Sequence, residues 1–532
     1  CEVVTPLEMR SLFFFLMTIN SILYVCGQKK KERDTSAIIL QPDRIEFEKA
    51  NHRSDFYVIS GNTNGLLVLE ETFDAAPKGG YNLNVHLIDT AFNVIWSRKD
   101  VVPNTGSLIG YDYFGGHYYL LFGRNQFKSE QLLVLQYAAK SAEEGVKTYE
   151  LTTVFPIDIE HFEAVGETLL FAGYANYRPV VITCNVNDGI PKIVPGFYDN
   201  KNDILDLVVD ERSRLFTVVM SERMRNKKYT VRVKSFNDRG DLIQDNLLDP
   251  GEKKSLIDGA TTTFSGGLQY LAGTHSRKSS RYSQGFYLSK FLNGRQQFNK
   301  YYPFAELSNF WDHLKPRREE RILRRIEKKR EKGKVKKFNY RLLVHEIIQK
   351  GEEYIMIAEA YYPRYDYSSN TPYGGFGNFG GLQDTRFRNP NFLGYKYTHA
   401  AVVSFDRNCG ILWDHTFKIE DKESFFLEKN VAVNTYGNKV VLMYLEDSEI
   451  RSKVIEKGSV IEGRTFSPIK LSYKADELKS ENSSLEKIER WYHDASIAYG
   501  EQTIKNEQRV SKPSRRVFYI NKIKYSHGWQ PN

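Results

Sequence analysis

Residues 315–337, KPRREERILRRIEKKREKGKVKK, hold thirteen Lys and Arg against four Glu, a local excess of nine positive charges. The whole chain also carries +9, so everything outside this segment sums to zero. Cations at this density set up a field that attracts anions, and the chemistry open to them is recognition of an acidic glycan, a lipid headgroup, a nucleic acid or an envelope protein. The candidate contacts are Arg317, Arg318, Arg321, Arg324, Arg325, Lys328, Lys329 and Arg330. The plainer reading of such a run is a solvated helix face. Pro316 suits a first helical turn and Gly333 a helix end. Ile322, Leu323 and Ile326 form only a narrow apolar stripe, which predicts weak docking.

A second stretch, 361–394, is rich in Tyr, Phe, Gly and Asn, with Pro at 363, 372 and 390 and no helical period. It reads as an irregular loop. Aromatic rings on Gly-rich loops stack on sugars, bases or partner side chains, which makes Tyr361, Tyr362, Tyr365, Tyr367, Tyr373, Phe376 and Phe379 candidate binding residues. The alternative is that these rings pack on their own domain.

Motifs for catalysis are missing. The chain has no Cys-x-x-Cys, no His-Glu-x-x-His, no Gly-x-Ser-x-Gly and no phosphate-binding Gly-Lys-Ser/Thr loop. His117, His161, His345 and His415 pair with nothing at ligand spacing. Acidic pairs such as Asp158/Glu160 and Asp203/Asp206 have the chemistry a glycosidase needs, but among 66 Asp and Glu spacing alone nominates none. The catalytic residues, if any, are therefore left unassigned, and no metal site or cofactor is expected.

What must position these stretches is a repeated β-hairpin. Residues 395–417 hold two apolar-alternating runs joined by Asp-Arg-Asn-Cys-Gly, in which Asp406 caps the turn and Gly410 is read as its φ > 0 position. Residues 81–96 and 229–243 are weaker copies. A short apolar strand keeps step with the hairpin, beginning at Leu66, Tyr118, Leu169, Leu215, Leu268, Tyr354, Val441 and Ser496. The spacing is about 50 residues once 303–338 and 361–394 are set aside as insertions. A period of about 50 with four short strands per unit predicts an all-β fold, a β-propeller of about eight four-stranded blades, with seven as the alternative count.

The blades are placed at 55–102, 107–155, 158–198, 203–248, 257–302, 340–420, 429–472 and 488–526. The last unit lacks its outer strand. Residues 36–49 are expected to supply it by pairing with 517–525, closing the ring and removing its free edges. A third interruption, 473–489, is polar and reads as helical. Links between blades and links between second and third strands emerge on the same face, so all three interruptions are expected to share it, which is where function is commonly grafted.

Residues 9–27 read as a signal peptide: Arg10, an apolar run over 12–25, then Cys26 and Gly27. The run is too short to span a bilayer. Cleavage after Gly27 would leave 28–532 as one propeller domain, and lipoprotein processing at Cys26 is the rival. Export to the periplasm, the outer membrane or the medium is the expectation, with no transmembrane span and a monomeric state. Aromatics at 14% favour strands. Of four Cys, Cys184 and Cys409 fall in distant blades, so no disulfide framework is implied.

The segment SFDRNCGILW, 404–413, resembles the Asp-box hairpin of sialidase-type propellers, Ser-x-Asp-x-Gly-x-x-Trp, with two extra residues between Asp406 and Gly410. It is more similar to the hairpin of quinoprotein-type repeats, in which Asp406, Gly410 and Trp413 take the ordered Asp, turn Gly and Trp. That resemblance implies an eight-bladed propeller. Its members include quinone-dependent alcohol dehydrogenases and non-enzymatic outer-membrane-assembly lipoproteins. Many of the quinone enzymes carry a vicinal Cys pair, which this chain lacks. The function expected is a non-catalytic binding or assembly scaffold for an envelope protein or an anionic extracellular polymer. A propeller-type glycan hydrolase or lyase with its site at the central axis is the alternative.

Overall fold

The computed structural model describes residues 39–49, 54–76, 79–103, 106–123, 129–140, 145–199, 202–277, 281–366, 391–508 and 513–526. The chain is a β-propeller of eight four-stranded antiparallel units. Blade four shows the plan, with strands Asn202–Asp210, Leu215–Arg223, Tyr229–Asn237 and Leu242–Leu247 hydrogen-bonded in sequence order. Blades two and three share one long strand, Val146–Val165. Its first half pairs with Ser129–Ala138 and its second half with Thr168–Ala175, so no turn separates the two blades.

The ring closes as the missing strand requires. Arg44–Glu48 pairs antiparallel with Ser514–Tyr525, in register from Arg44 opposite Asn521 to Glu48 opposite Val517, and Ile39–Leu40 continues the pairing at Tyr525 and Lys524. The N-terminal strand is thus the outer strand of blade eight, and the first and last segments of the fold hold each other.

Turn chemistry repeats from blade to blade. Asp406 Oδ1 accepts the backbone N–H groups of Asn408 and Gly410 at 2.8 and 2.7 Å. Asp89 does the same for Ala91 and Asn93, and Asn237 for Arg239 and Asp241. The left-handed residue of the turn is Cys409, with φ 56°, rather than Gly410. Phe92 and Gly240 take that place in the other two hairpins. Gly410 serves close approach instead: a Cβ there would lie 3.2 Å from the Asp406 carboxylate.

The interruption at 473–489 is not helical. Glu477–Arg490 is the inner strand of blade eight, paired with Ser496–Lys505 and bulged between Asn482 and Lys487. A polar run without a 3.6-residue apolar stripe has nothing to bury as a helix, and here its backbone groups are taken by the neighbouring strand. The third expected insertion is therefore part of a blade.

The insertion at 303–338 does contain a helix, α1, Pro316–Arg330. Pro316 occupies its first turn. Gly333 adopts φ 64°, and Lys334 N reaches back to Lys329 O at 2.9 Å, closing the C-terminus. The stripe is as narrow as expected: Ile326 is buried, while Leu323 is 44% exposed. The segment ahead of the helix is another matter. Phe304, Phe310 and Trp311 are fully buried and belong to the core between blades five and six. Ser308 and Asn309 donate their N–H groups to Asp414 at 2.9 and 2.8 Å.

The second insertion begins as strand, not loop. Glu353–Tyr365 pairs with Phe392–Phe405, placing Tyr361 opposite Tyr397 and Tyr365 opposite Phe392. Both strands of blade six outrun their counterparts elsewhere, and the apolar alternation that continues through Tyr361 keeps them paired.

Candidate functional site

Two surfaces have the character of sites. The first is α1. All eight of the nominated cations are exposed. Two are paired within the helix, Arg324 with Glu320 at 3.1 Å and Arg330 with Glu327 at 3.0 Å. The other six, Arg317, Arg318, Arg321, Arg325, Lys328 and Lys329, have no ion pair among the described residues. Exposed pairs of this kind are worth a few tenths of a kcal/mol, so even Arg324 and Arg330 exchange partners at little cost. Between the helix and the segment before it lies a cleft of about 420 Å³, with Leu307, Trp311, Leu323 and Ile326 in its wall.

The nominated aromatics divide. Tyr361 meets Tyr395 edge-on at 5.3 Å and Tyr365 meets Phe392 at 5.7 Å, so these two rings pack on their own blade. Tyr362 is 45% exposed and available. Beside it, Glu423 holds Arg364 at 2.6 Å and Lys396 at 3.0 Å. Tyr367, Tyr373, Phe376 and Phe379 lie outside the described residues.

The second surface is one that sequence reasoning missed. A pocket of about 660 Å³ opens where the inner strands of the blades end, lined by groups from blades one, two, four, six and eight. Its polar walls include Asp112, Glu211, Glu346 and Glu489, with Tyr111, Arg490 and His493 beside them. Lining drawn from so many blades places this pocket on the ring axis.

Inner-strand bulges build the acidic character. In blades two to five the ladder slips at Leu108/Gly110, Ile159/His161, Ile204/Asp206 and Leu256/Asp258. Gly110, His161, Asp206 and Asp258 are therefore equivalent positions, and Asp112 and Glu163 are equivalent two residues further on. Asp112 accepts the N–H of Ala164 in the next blade at 2.7 Å, and Asp258 accepts that of Val344 at 3.0 Å. Both carboxylates staple neighbouring blades, and Asp112 also lines the pocket.

The environment shifts their protonation. Burial pushes the Asp112 carboxyl up to about 6, against the pull of hydrogen bonds from Ala164, Tyr113 and Glu163. Glu163 rises well above the usual range through burial and then the charges of Asp112 and Asp206. The two carboxyls act on each other as one coupled pair, and burial leads the upward shift of both. Asp258 is likewise pushed up to about 6 by burial. His161 is shifted down, by burial first. Glu489 is raised by burial and accepts a 2.9 Å hydrogen bond from Tyr499.

His345 and His415 pack as structural side chains. His345 Nε2 lies 2.9 Å from the buried Glu359, and His415 Nε2 lies 2.9 Å from Gly458 O. Cys184 and Cys409 are free and buried. Among the described residues no group of His, Cys, Asp and Glu has the geometry to hold a metal ion, and no helix is long and apolar enough to cross a membrane.

No protein-family model matches the chain, and no curated protein does. Solved structures do match in fold. The chain is similar to the β-propeller domain of the trilobed protease from Pyrococcus furiosus, at 9% identity and a TM-score of 0.35, over 79% of this chain and 95% of that one. It is similar to the Dos1 propeller at 10% identity and a TM-score of 0.37, over 80% and 94%. A structure described as one of two prolyl endopeptidases is matched at 10% identity and a TM-score of 0.38, over 86% of this chain and 54% of that one, so the chain spans about half that enzyme's length. These likenesses concern the fold alone.

Proposed function

We propose that the protein is an exported, non-catalytic binding or assembly scaffold whose partner is an envelope protein or an anionic extracellular polymer. The observation that carries this reading is α1: eight exposed cations on one short helix, six without an ion pair among the described residues, mounted on a rigid ring. A charge cluster held by a fixed scaffold raises the local concentration of an anionic partner and speeds encounter, while rigid groups around it set specificity. Tyr362 is the described aromatic group that extends such a surface. The test is retention of the purified protein on immobilised acidic glycan, nucleic acid and anionic vesicles across a salt series. Wild-type protein should be retained at low salt and released early after Arg317→Glu, Arg321→Glu and Arg325→Glu are combined. Equal elution of the two proteins on every matrix defeats the reading.

A second reading, a hydrolase or lyase acting at the axis, is favoured by the Asp112–Glu163 pair. Two coupled carboxyls that share a proton, with Asp112 in the pocket wall, supply an acid and a base to one site. Release of reducing ends or unsaturated products from acidic glycans, lost on both Asp112→Asn and Glu163→Gln, would favour it over the scaffold.

A further inference from the structure

The cleft beside α1 has features that a simple charged handle does not need. Its floor is apolar, from Leu307, Leu323 and Ile326, and Leu323 is 44% exposed there rather than covered. Trp311 lines it while only 1% exposed, fixed between Phe310, 5.0 Å away edge-on, and Phe338 at 4.3 Å. Its indole Nε1 is buried and has no hydrogen-bond partner. At the rim stand Arg324 and Arg330, 74% and 65% exposed, each held only by a glutamate of its own helix, with Glu306 across the cleft.

We propose that this cleft docks a peptide segment of a partner protein that presents an aliphatic or aromatic side chain next to acidic residues. The apolar side chain covers Leu323 and the floor, and the flanking carboxylates take Arg324 and Arg330 from Glu320 and Glu327. The inference rests on the scaffold reading above and narrows its partner to a polypeptide. Sugars and bases would use the face of an aromatic ring, and Trp311 at 1% exposure offers no face. The helix carries a strong positive excess, which selects acidic flanks. A cleft of about 420 Å³ has room for one large side chain with its neighbouring backbone.

The experiment pans the full-length folded protein against a displayed library of random linear peptides. The most enriched peptide is then synthesised, and its dissociation constant measured for wild type and Leu323→Asp. The expected consensus is an apolar residue beside Asp or Glu. Leu323→Asp, at a half-exposed position where the fold is not at stake, should weaken binding at least about tenfold, the scale of a central anchor lost. Enrichment without that consensus, no enrichment at all, or an affinity unmoved by Leu323→Asp overturns the proposal. Leu323→Asp should also leave retention on acidic glycan within about twofold, because the free cations of α1 remain. If peptides fail while wild-type protein still binds the glycan matrix, the cleft is wrong and the scaffold reading stands. If both fail, both fall.

Discussion

His313 lies flat on His399, with ring centroids 3.7 Å apart and planes 9° from parallel. One ring belongs to the segment before α1 and the other to the third strand of blade six, so the stack fastens the insertion to the ring. Its Nδ1 meets Phe310 O at 3.1 Å, which assigns the proton of the neutral His313 imidazole to that nitrogen. Burial shifts His313 down to about 4, aided by the charges of Arg318 and Lys418 and opposed by Asp312. His399 is held well below the ordinary range, by burial and then by His313.

Both histidines therefore stay neutral in the folded protein while the unfolded chain takes up protons near pH 6.5. Stability is unaffected above that pH and falls as pH is lowered towards 4, by up to about 3 kcal/mol for His313. Unfolding midpoints measured over this range should decline, and His313→Phe, which keeps a ring in the stack, should flatten the decline. A slope unchanged in the variant would show that other groups set it.

Glu359 is fully buried in the second strand of blade six and spans to blade seven. It accepts N–H groups of Asn430 and Val431 at 2.8 and 2.7 Å, and lies 2.9 Å from His345. Burial opposes its ionisation, yet these donors and His345 hold its carboxyl below the usual range. Glu359→Ala strands all of them and should cost about 3–5 kcal/mol. Glu359→Gln keeps an acceptor oxygen and should cost less. Denaturant midpoints that rank the two variants the other way would reassign the role of Glu359.

Ring closure gives a separate test. Arg44 donates to Asn521 Oδ1 and Gln502 Oε1, each at 3.0 Å, pairs with Glu46 at 2.8 Å and covers the Tyr519 ring at 4.6 Å. Arg44→Ala leaves the Asn521 and Gln502 side-chain oxygens without this donor, while Glu46 keeps Arg515 and Ser472, so the cost should be about 1–3 kcal/mol. Removing 36–49 altogether frees the edge of Ser514–Tyr525 for pairing with other chains. Light scattering after size exclusion should show the truncated protein self-associating at concentrations where the intact one does not.

The reach of the sequence can be judged from particular residues. The turn at Asp406 was legible because a side-chain cap leaves a local signature, and the closing strand was legible because a repeat lacking its last element must borrow one. Pro316 and Gly333 marked the helix ends for similarly local reasons. The stretch 473–489 misled because polar strands carry no period that separates them from polar helices. Phe304, Phe310 and Trp311 were swept into an insertion whose charge drew attention from them. The axial carboxylates were invisible for a different reason. Asp112, Glu211, Glu346 and Glu489 come from four different blades, and convergence at an axis is a property of closure. A signal did exist: Glu163 follows Asp112 by one blade repeat, and Asp206 and Asp258 stand one repeat apart.

The last prediction separates the two halves of the first insertion. Residues 304–311 bury Phe304, Phe310 and Trp311 in the core between blades five and six, and Trp311 is among the largest fully buried side chains of the protein. Trp311→Ala opens a cavity there and should cost about 3–5 kcal/mol. The exposed turns of α1 bury little beyond Ile326, so Arg317→Glu, Arg321→Glu and Arg325→Glu together should move the unfolding midpoint by no more than a degree or two, since surface charges contribute a few tenths of a kcal/mol each. Partner binding should respond in the opposite sense. The triple charge reversal should slow association, most strongly at low salt, because attraction over a distance is what those side chains supply and salt screens it within about 10 Å. Thermal unfolding and stopped-flow association, run on the same preparations, decide the matter. A charge reversal that unfolds the protein would make α1 a structural element, and one that leaves association unchanged at every ionic strength would move the binding surface away from the helix.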